Sequence, residues 1–213
     1  MLVVHHLGRS QSERVVWLCE ELGIPYELKV HGRDPVTMLA PPELKALHPM
    51  EAAPVIEDGG LVLAESGAIV EYIIGVHGGG RLAVAPGAPN YADYLYWLHF
   101  TNATLQAALG RNMIIRRLDV EAANPVAAAM KGRLDRALAL VERRLGEAPY
   151  LAGAELSAAD IMIVFCLTTM RLFTPFDLGP YANIRAYLQR IGARPAYRRA
   201  MEKGDPDMVP MLD

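Results

Sequence analysis

Three clusters carry side chains that could do chemistry: Glu65-Ser66, the turn Gly8-Arg9-Ser10-Gln11-Ser12, and the pair His5-His6. Glu65 and Ser66 stand where the apolar run Leu61 to Leu63 gives way to a helical period through Ile69, Val70 and Ile73. Ser66 is thereby predicted as the helix N-cap, with its hydroxyl and the first N–H groups facing outward. A helix N-terminus favours a carboxylate, and a glutamate beside it can take an ammonium. The two together suit the head group of an amino acid, although the same pair also serves as an ordinary cap. Ser10 and Ser12 place two hydroxyls ahead of the next helix, and Ser12 is the better placed to cap it. His5 and His6 are neighbours on a predicted strand, so they point to opposite faces and cannot chelate one ion together. The other histidines lack ligand spacing, and no metal site is expected.

The elements that position these residues follow from pattern. Leu2 to His6 reads as a first strand; Val15, Val16, Leu18, Cys19 and Leu22 mark a helix face; and Gly23 ends that helix. Tyr26 to Val30 reads as a second strand in parallel with the first, followed by a proline-rich segment with a short helix around Leu44 to Leu47. Pro54 opens a hairpin that turns at Asp58-Gly59-Gly60 and runs into the helix after Glu65-Ser66. If the Pro54 peptide bond is cis, the N–H and C=O of Ala53 are available to an extended peptide. The plan is α+β, β-α-β-α-β-β-α with a cis proline, and it looks like a thioredoxin-type domain over 1–78. Gly78-Gly79-Gly80 and the Pro/Gly-rich stretch after it read as a linker over 79–89.

Residues 90–213 read as an all-helical bundle. Tyr91, Tyr94, Leu95, Leu98, Leu105 and Leu109 recur at helical spacing, and Pro125 sits at the first position of the next helix. Ser157-Ala158-Ala159-Asp160 is a capping box ahead of an apolar run that should form the buried central helix. Two shorter helices, around Ile184 to Arg190 and Ala196 to Lys203, are expected to close the bundle.

Composition narrows the functional classes. A formal charge of −3 gives no electrostatic reason to expect nucleic acid or an anionic membrane as partner. The longest apolar run, Ile161 to Leu167, is far short of a bilayer span, and Met1-Leu2-Val3-Val4-His5 lacks the charged region of a signal peptide. Cys19 and Cys166 each sit in an apolar helical pattern, which suits buried free thiols in a reducing cytoplasm.

The proline-led hairpin followed by Glu65-Ser66 resembles the glutathione site of the cytosolic glutathione transferases. The resemblance extends to Ser12-Glu13-Arg14-Val15 leading to Glu20-Glu21-Leu22-Gly23-Ile24-Pro25-Tyr26, to His48-Pro49, to the capping box, and to Arg194-Pro195-Ala196-Tyr197. Together these are similar to bacterial serine-type members. The resemblance implies that Glu65 and Ser66 hold the γ-glutamyl end of glutathione and that Ala53, before Pro54, pairs with its cysteinyl backbone. It also implies a hydroxyl in the first turn that stabilises the thiolate. Ser10 is preferred over Ser12 for this, with Arg9 close enough to assist. Two departures stand out. Aligned without gaps, the family's serine falls on Arg9, and one inserted residue restores Ser10. Glu51-Ala52-Ala53 stands where the family often has Gly-Gln-Val. The implied activity is conjugation of glutathione, as co-substrate, to small hydrophobic electrophiles, or its use to reduce a peroxide, by a cytoplasmic homodimer without a metal. The alternative is a non-catalytic binding or assembly module of the same fold.

Overall fold

The computed structural model describes residues 1–121 and 124–213. They divide into two compact units, the first made of Met1–Ala83 with Gly192–Pro210 and the second of Val84–Ile191 with Met211–Asp213.

The first unit is built on a four-stranded sheet in the order β2-β1-β3-β4. The strands are β1 (Val3–Leu7), β2 (Glu27–His31), β3 (Val55–Asp58) and β4 (Leu61–Ala64), and the helices are α1 (Glu13–Leu22), α2 (Pro42–Lys45) and α3 (Ser66–Val76). β1 runs parallel to β2, as a strand–helix–strand unit requires, and antiparallel to β3. Asp58 pairs with Leu61, so Gly59 and Gly60 form a two-residue turn with φ of 55° and 94°, a conformation that glycine adopts without a Cβ penalty. Gly23 closes α1 in the left-handed region. The Ala53–Pro54 peptide bond is cis. This is the expected thioredoxin-like arrangement.

The returning helix α9 (Pro195–Gly204) belongs to this unit, whereas its period alone groups it with the helical bundle. Its partners decide the matter. Tyr197 meets Trp17 edge-on at 5.2 Å, Arg194 pairs with Glu21, and Arg199 and Lys203 both pair with Glu20 of α1.

The second unit is helical. α4 (Tyr91–Phe100) runs through one π-helical stretch, Thr101–Gln106, into α5 (Ala107–Arg117), followed by α6 (Pro125–Glu147), α7 (Ala158–Leu167) and α8 (Ala182–Gly192). Asn124 caps α6 by accepting from the N–H groups of Val126 and Ala127, with Pro125 in the first turn. All ten residues of α7 are buried. Asp160 in its first turn accepts from Leu151 N, Ser157 N, Ser157 Oγ and Tyr187 Oη, at 2.9 to 3.1 Å. Burial pushes this carboxyl up, and the four hydrogen bonds act against that. No helix among the described residues is long and apolar enough to cross a membrane.

Candidate active site

Two helix starts and the cis proline converge on one cleft of the first unit. The cleft measures about 310 Å³ and is lined by Gln11, His48, Met50, Ala52, Ala53, Pro54, Val62, Leu63, Ala64, Glu65 and Ser66. Four residues named from sequence, Ala53, Pro54, Glu65 and Ser66, thus share one wall.

The helix that carries Ser66 begins one residue earlier than expected. Ser66 is the first helical residue, and Glu65 occupies the cap position with φ 73° and ψ 110°. A non-glycine residue there costs on the order of 1 kcal/mol or more, and such residues cluster at functional sites. Arg9 and Glu51, with φ of 55° and 51°, are held in the same left-handed region. Glu65 is exposed and makes no ion pair among the described residues, so its carboxylate can meet an ammonium. The Ser66 hydroxyl is buried and accepts from Arg14 Nη1 at 3.2 Å.

Arg14 and Gln11 were not named as site residues from sequence. Arg14 is 1% exposed and also donates to Gln11 Oε1 at 3.1 Å, while Gln11 Nε2 donates to Ala53 O at 3.1 Å. The carbonyl expected to be available to a peptide is therefore engaged by Gln11. The signal for Arg14 lay in the helical period: 14, 18 and 22 fall on one face of α1, and a guanidinium aligned with two buried leucines has to serve a polar partner.

The turn before α1 holds Arg9, Ser10 and Ser12, none of which lines the cleft wall. Ser12 occupies the N-cap position of α1, but its hydroxyl does not cap the helix. It points back to β1 instead, bonding His6 Nδ1 at 2.9 Å, Leu7 N at 3.1 Å and Ser10 Oγ at 2.7 Å. Ser10 Oγ also accepts from Ser12 N at 3.2 Å. Arg9 is exposed; its N–H donates to Asp205 Oδ1 at 2.8 Å, and its carbonyl takes Arg33 Nη2 at 3.0 Å.

The two histidines part as the strand pleat requires. His5 bonds His31 Nε2 at 3.0 Å and Glu57 Oε1 at 2.8 Å, while His6 bonds Asp205 and Ser12. Among the described residues no group of three or more His, Cys, Asp or Glu side chains is placed to hold a metal ion. Cys19 is buried and its thiol is pushed up to about 12 by burial and the charge on Glu20, so it is no nucleophile at neutral pH. The helical unit has a larger cavity of about 550 Å³, whose walls include Asn112, Leu134, Leu138 and Phe176. It contains none of the residues above.

Comparison with known proteins identifies the family. Residues 9–74 match the glutathione S-transferase N-terminal domain and residues 124–190 the glutathione S-transferase C-terminal domain. Glutathione S-transferase 3 of Schizosaccharomyces pombe is 29% identical over 100% of this chain and 91% of its own. Glutathione S-transferase 4 of Zea mays is 30% identical over 89% of this chain and 86% of its own. A crystal structure of a glutathione S-transferase from Actinobacillus pleuropneumoniae superposes with a TM-score of 0.88 at 33% identity, covering 96% of this chain and 93% of that one. The chain belongs to the glutathione S-transferase family.

Proposed function

We propose that the protein transfers the thiolate of glutathione to small hydrophobic electrophiles. The observation that carries this reading is the shared wall of Ala53, cis-Pro54, Glu65 and Ser66, with the buried Arg14 guanidinium on the Ser66 hydroxyl. In this reading the γ-glutamyl carboxylate takes the Ser66 hydroxyl and the first N–H groups of α3, with the charge of Arg14 behind them. Glu65 takes the ammonium. The N–H of Ala53 pairs with the cysteinyl backbone, and the Gln11 amide supplies polar surface where Ala52 stands in place of the family's glutamine. Ser10 donates to the sulfur, and Arg9 adds positive charge at the edge of the turn. A hydroxyl donor favours thiolate over thiol, and each unit of lowering is worth about 1.4 kcal/mol.

The working unit is a homodimer in the cytoplasm, where the buried thiols of Cys19 and Cys166 are at home. Sedimentation at micromolar concentration tests the dimer, and a single species near 23.3 kDa contradicts it. Retention on immobilised glutathione, followed by turnover of a chloro-arene and of an organic hydroperoxide, tests the activity. Turnover of the arene is expected, and activity with the peroxide as well would extend the same thiolate chemistry to reduction. Retention without turnover of either substrate would instead indicate a binding module.

A further inference from the structure

Asp205, His6, Ser12 and Ser10 form one continuous line of hydrogen bonds in the first unit. Asp205 Oδ2 meets His6 Nε2 at 3.1 Å, His6 Nδ1 meets Ser12 Oγ at 2.9 Å, and Ser12 Oγ meets Ser10 Oγ at 2.7 Å. His6 and Ser12 are fully buried and Ser10 is 7% exposed, so the line runs inward from Ser10. Gly204 helps to assemble it, because a Cβ there would lie 3.1 Å from His6 Nε2, and its absence lets the end of α9 bring Asp205 onto the ring.

Donor and acceptor rules give the line a direction. A carboxylate only accepts, so His6 Nε2 carries a proton and, in the neutral ring, Nδ1 is the acceptor. The Ser12 proton then has two acceptors, His6 Nδ1 at 2.9 Å and Leu7 O at 3.4 Å, and the shorter contact assigns it to His6. The Ser12 oxygen already accepts from Leu7 N at 3.1 Å and has one lone pair left, which takes the proton of Ser10. Ser10 Oγ accepts from Ser12 N and retains one lone pair for a donor from outside. In this state Ser10 has no proton to offer a thiolate, but it can receive one from a thiol.

We propose that His6 is the proton acceptor for the thiol of glutathione, reached through Ser10 and Ser12, with Asp205 as its positioning carboxylate. The proposal rests on the reading of Ser10 given above. In the step, the S–H bond breaks and its proton passes to Ser10 Oγ, the proton of Ser10 passes to Ser12 Oγ, and that of Ser12 passes to His6 Nδ1. One proton leaves the sulfur, one arrives at the imidazole, and both serines remain hydroxyls. Every bond of the line is then reversed: imidazolium donates to Ser12, Ser12 to Ser10, and Ser10 to the thiolate. The movement that removes the proton is the same one that turns Ser10 into the donor that stabilises the product. His31 on β2 and His6 act on each other electrostatically, Arg33 lies within electrostatic reach of Asp205, and the Arg9 backbone N–H donates to Asp205 Oδ1. Asp205 is the carboxylate that meets the His6 ring.

The test counts protons. Calorimetry of glutathione binding at neutral pH in two buffers of different ionisation heat gives the protons released, and absorbance near 240 nm gives the thiolates formed. The native protein should form thiolate while releasing almost no proton to the buffer. In Ser12→Ala, which cuts the line, and Asp205→Asn, which keeps its shape without the charge, thiolate should fall about tenfold at neutral pH. Whatever thiolate remains should be matched by protons released, with glutathione affinity held within about threefold. Should Ser12→Ala fold poorly, the near-isosteric Asp205→Asn carries the test. One proton released per thiolate in the native protein would overturn the relay. If Ser10→Ala lowers the thiolate signal and neither other variant does, the relay alone is wrong. If Ser10→Ala leaves that signal unmoved, the reading of Ser10 itself fails.

Discussion

Ser157 and Ser12 both stand immediately before a helix, and both are buried, yet they use their surroundings in opposite ways. Ser157 has an acid three residues on. Its N–H and Oγ both reach Asp160 Oδ2, and the start of α7 is complete within its own first turn. Three residues after Ser12 stands Val15, which can close nothing, and the Ser12 hydroxyl goes instead to His6, Leu7 and Ser10. The same residue type at the same helical position is structural where a local partner exists. It becomes part of a tertiary network where none does, and that departure from the local rule lies beside the candidate site.

The sharpest way to break the comparison is at Asp160. Asp160→Ala leaves Tyr187 Oη and Leu151 N without their acceptor in a fully buried place, and should cost about 3–5 kcal/mol by urea unfolding. A loss near 1 kcal/mol would mean that the box is no more than a cap. Next in size is Ser66→Ala. Removing a hydroxyl contact to a charged group should weaken glutathione binding by on the order of 1.5–3 kcal/mol, about tenfold or more, as read by calorimetry. Unchanged affinity would remove Ser66 from the site. Ser157→Ala should then lower stability by about 1 kcal/mol and leave turnover alone, whereas Ser12→Ala should alter turnover as well. Equal turnover in the two variants would erase the distinction between the serines.

A smaller effect concerns the clasp between α1 and α9. Burial alone would raise the Glu20 carboxyl, but hydrogen bonds from Lys203, Arg199 and Tyr26 outweigh it and hold it below the usual range. Because the folded value is depressed, the unfolded chain takes up the proton first. The contribution is complete above about pH 4.3 and is lost as pH falls through the folded value. Glu20→Gln should therefore flatten the acid limb of the urea midpoint against pH, and an unchanged limb would show that the clasp does not titrate.

What could be read from the chain follows the distance over which each feature is determined. The Gly59-Gly60 hairpin, the Gly23 helix end, the Pro125 helix start and the Ser157/Asp160 box depend on residues a few positions apart, and all were legible. The register at Glu65-Ser66 was misread by one because no local rule puts a glutamate at positive φ. The placement of α9 escaped the pattern because its amphipathic period says only that one face is buried. Glu20, Glu21 and Trp17, far away in sequence, say against what. Arg14 and the partners of Ser12 are of the same long-range kind, which is why residues of the cleft wall could be named from the chain and the side chains behind the turn could not.

The central claim is that this site binds glutathione and lowers its thiol pKa through the hydroxyl of Ser10. Titrating the absorbance of bound glutathione near 240 nm measures it directly. The account predicts that the native complex titrates at least one unit below the free-thiol value of about 8.5, and that Ser10→Ala moves the midpoint back toward that value with little loss of binding. A native complex that titrates at the free-thiol value, with glutathione bound, would contradict it.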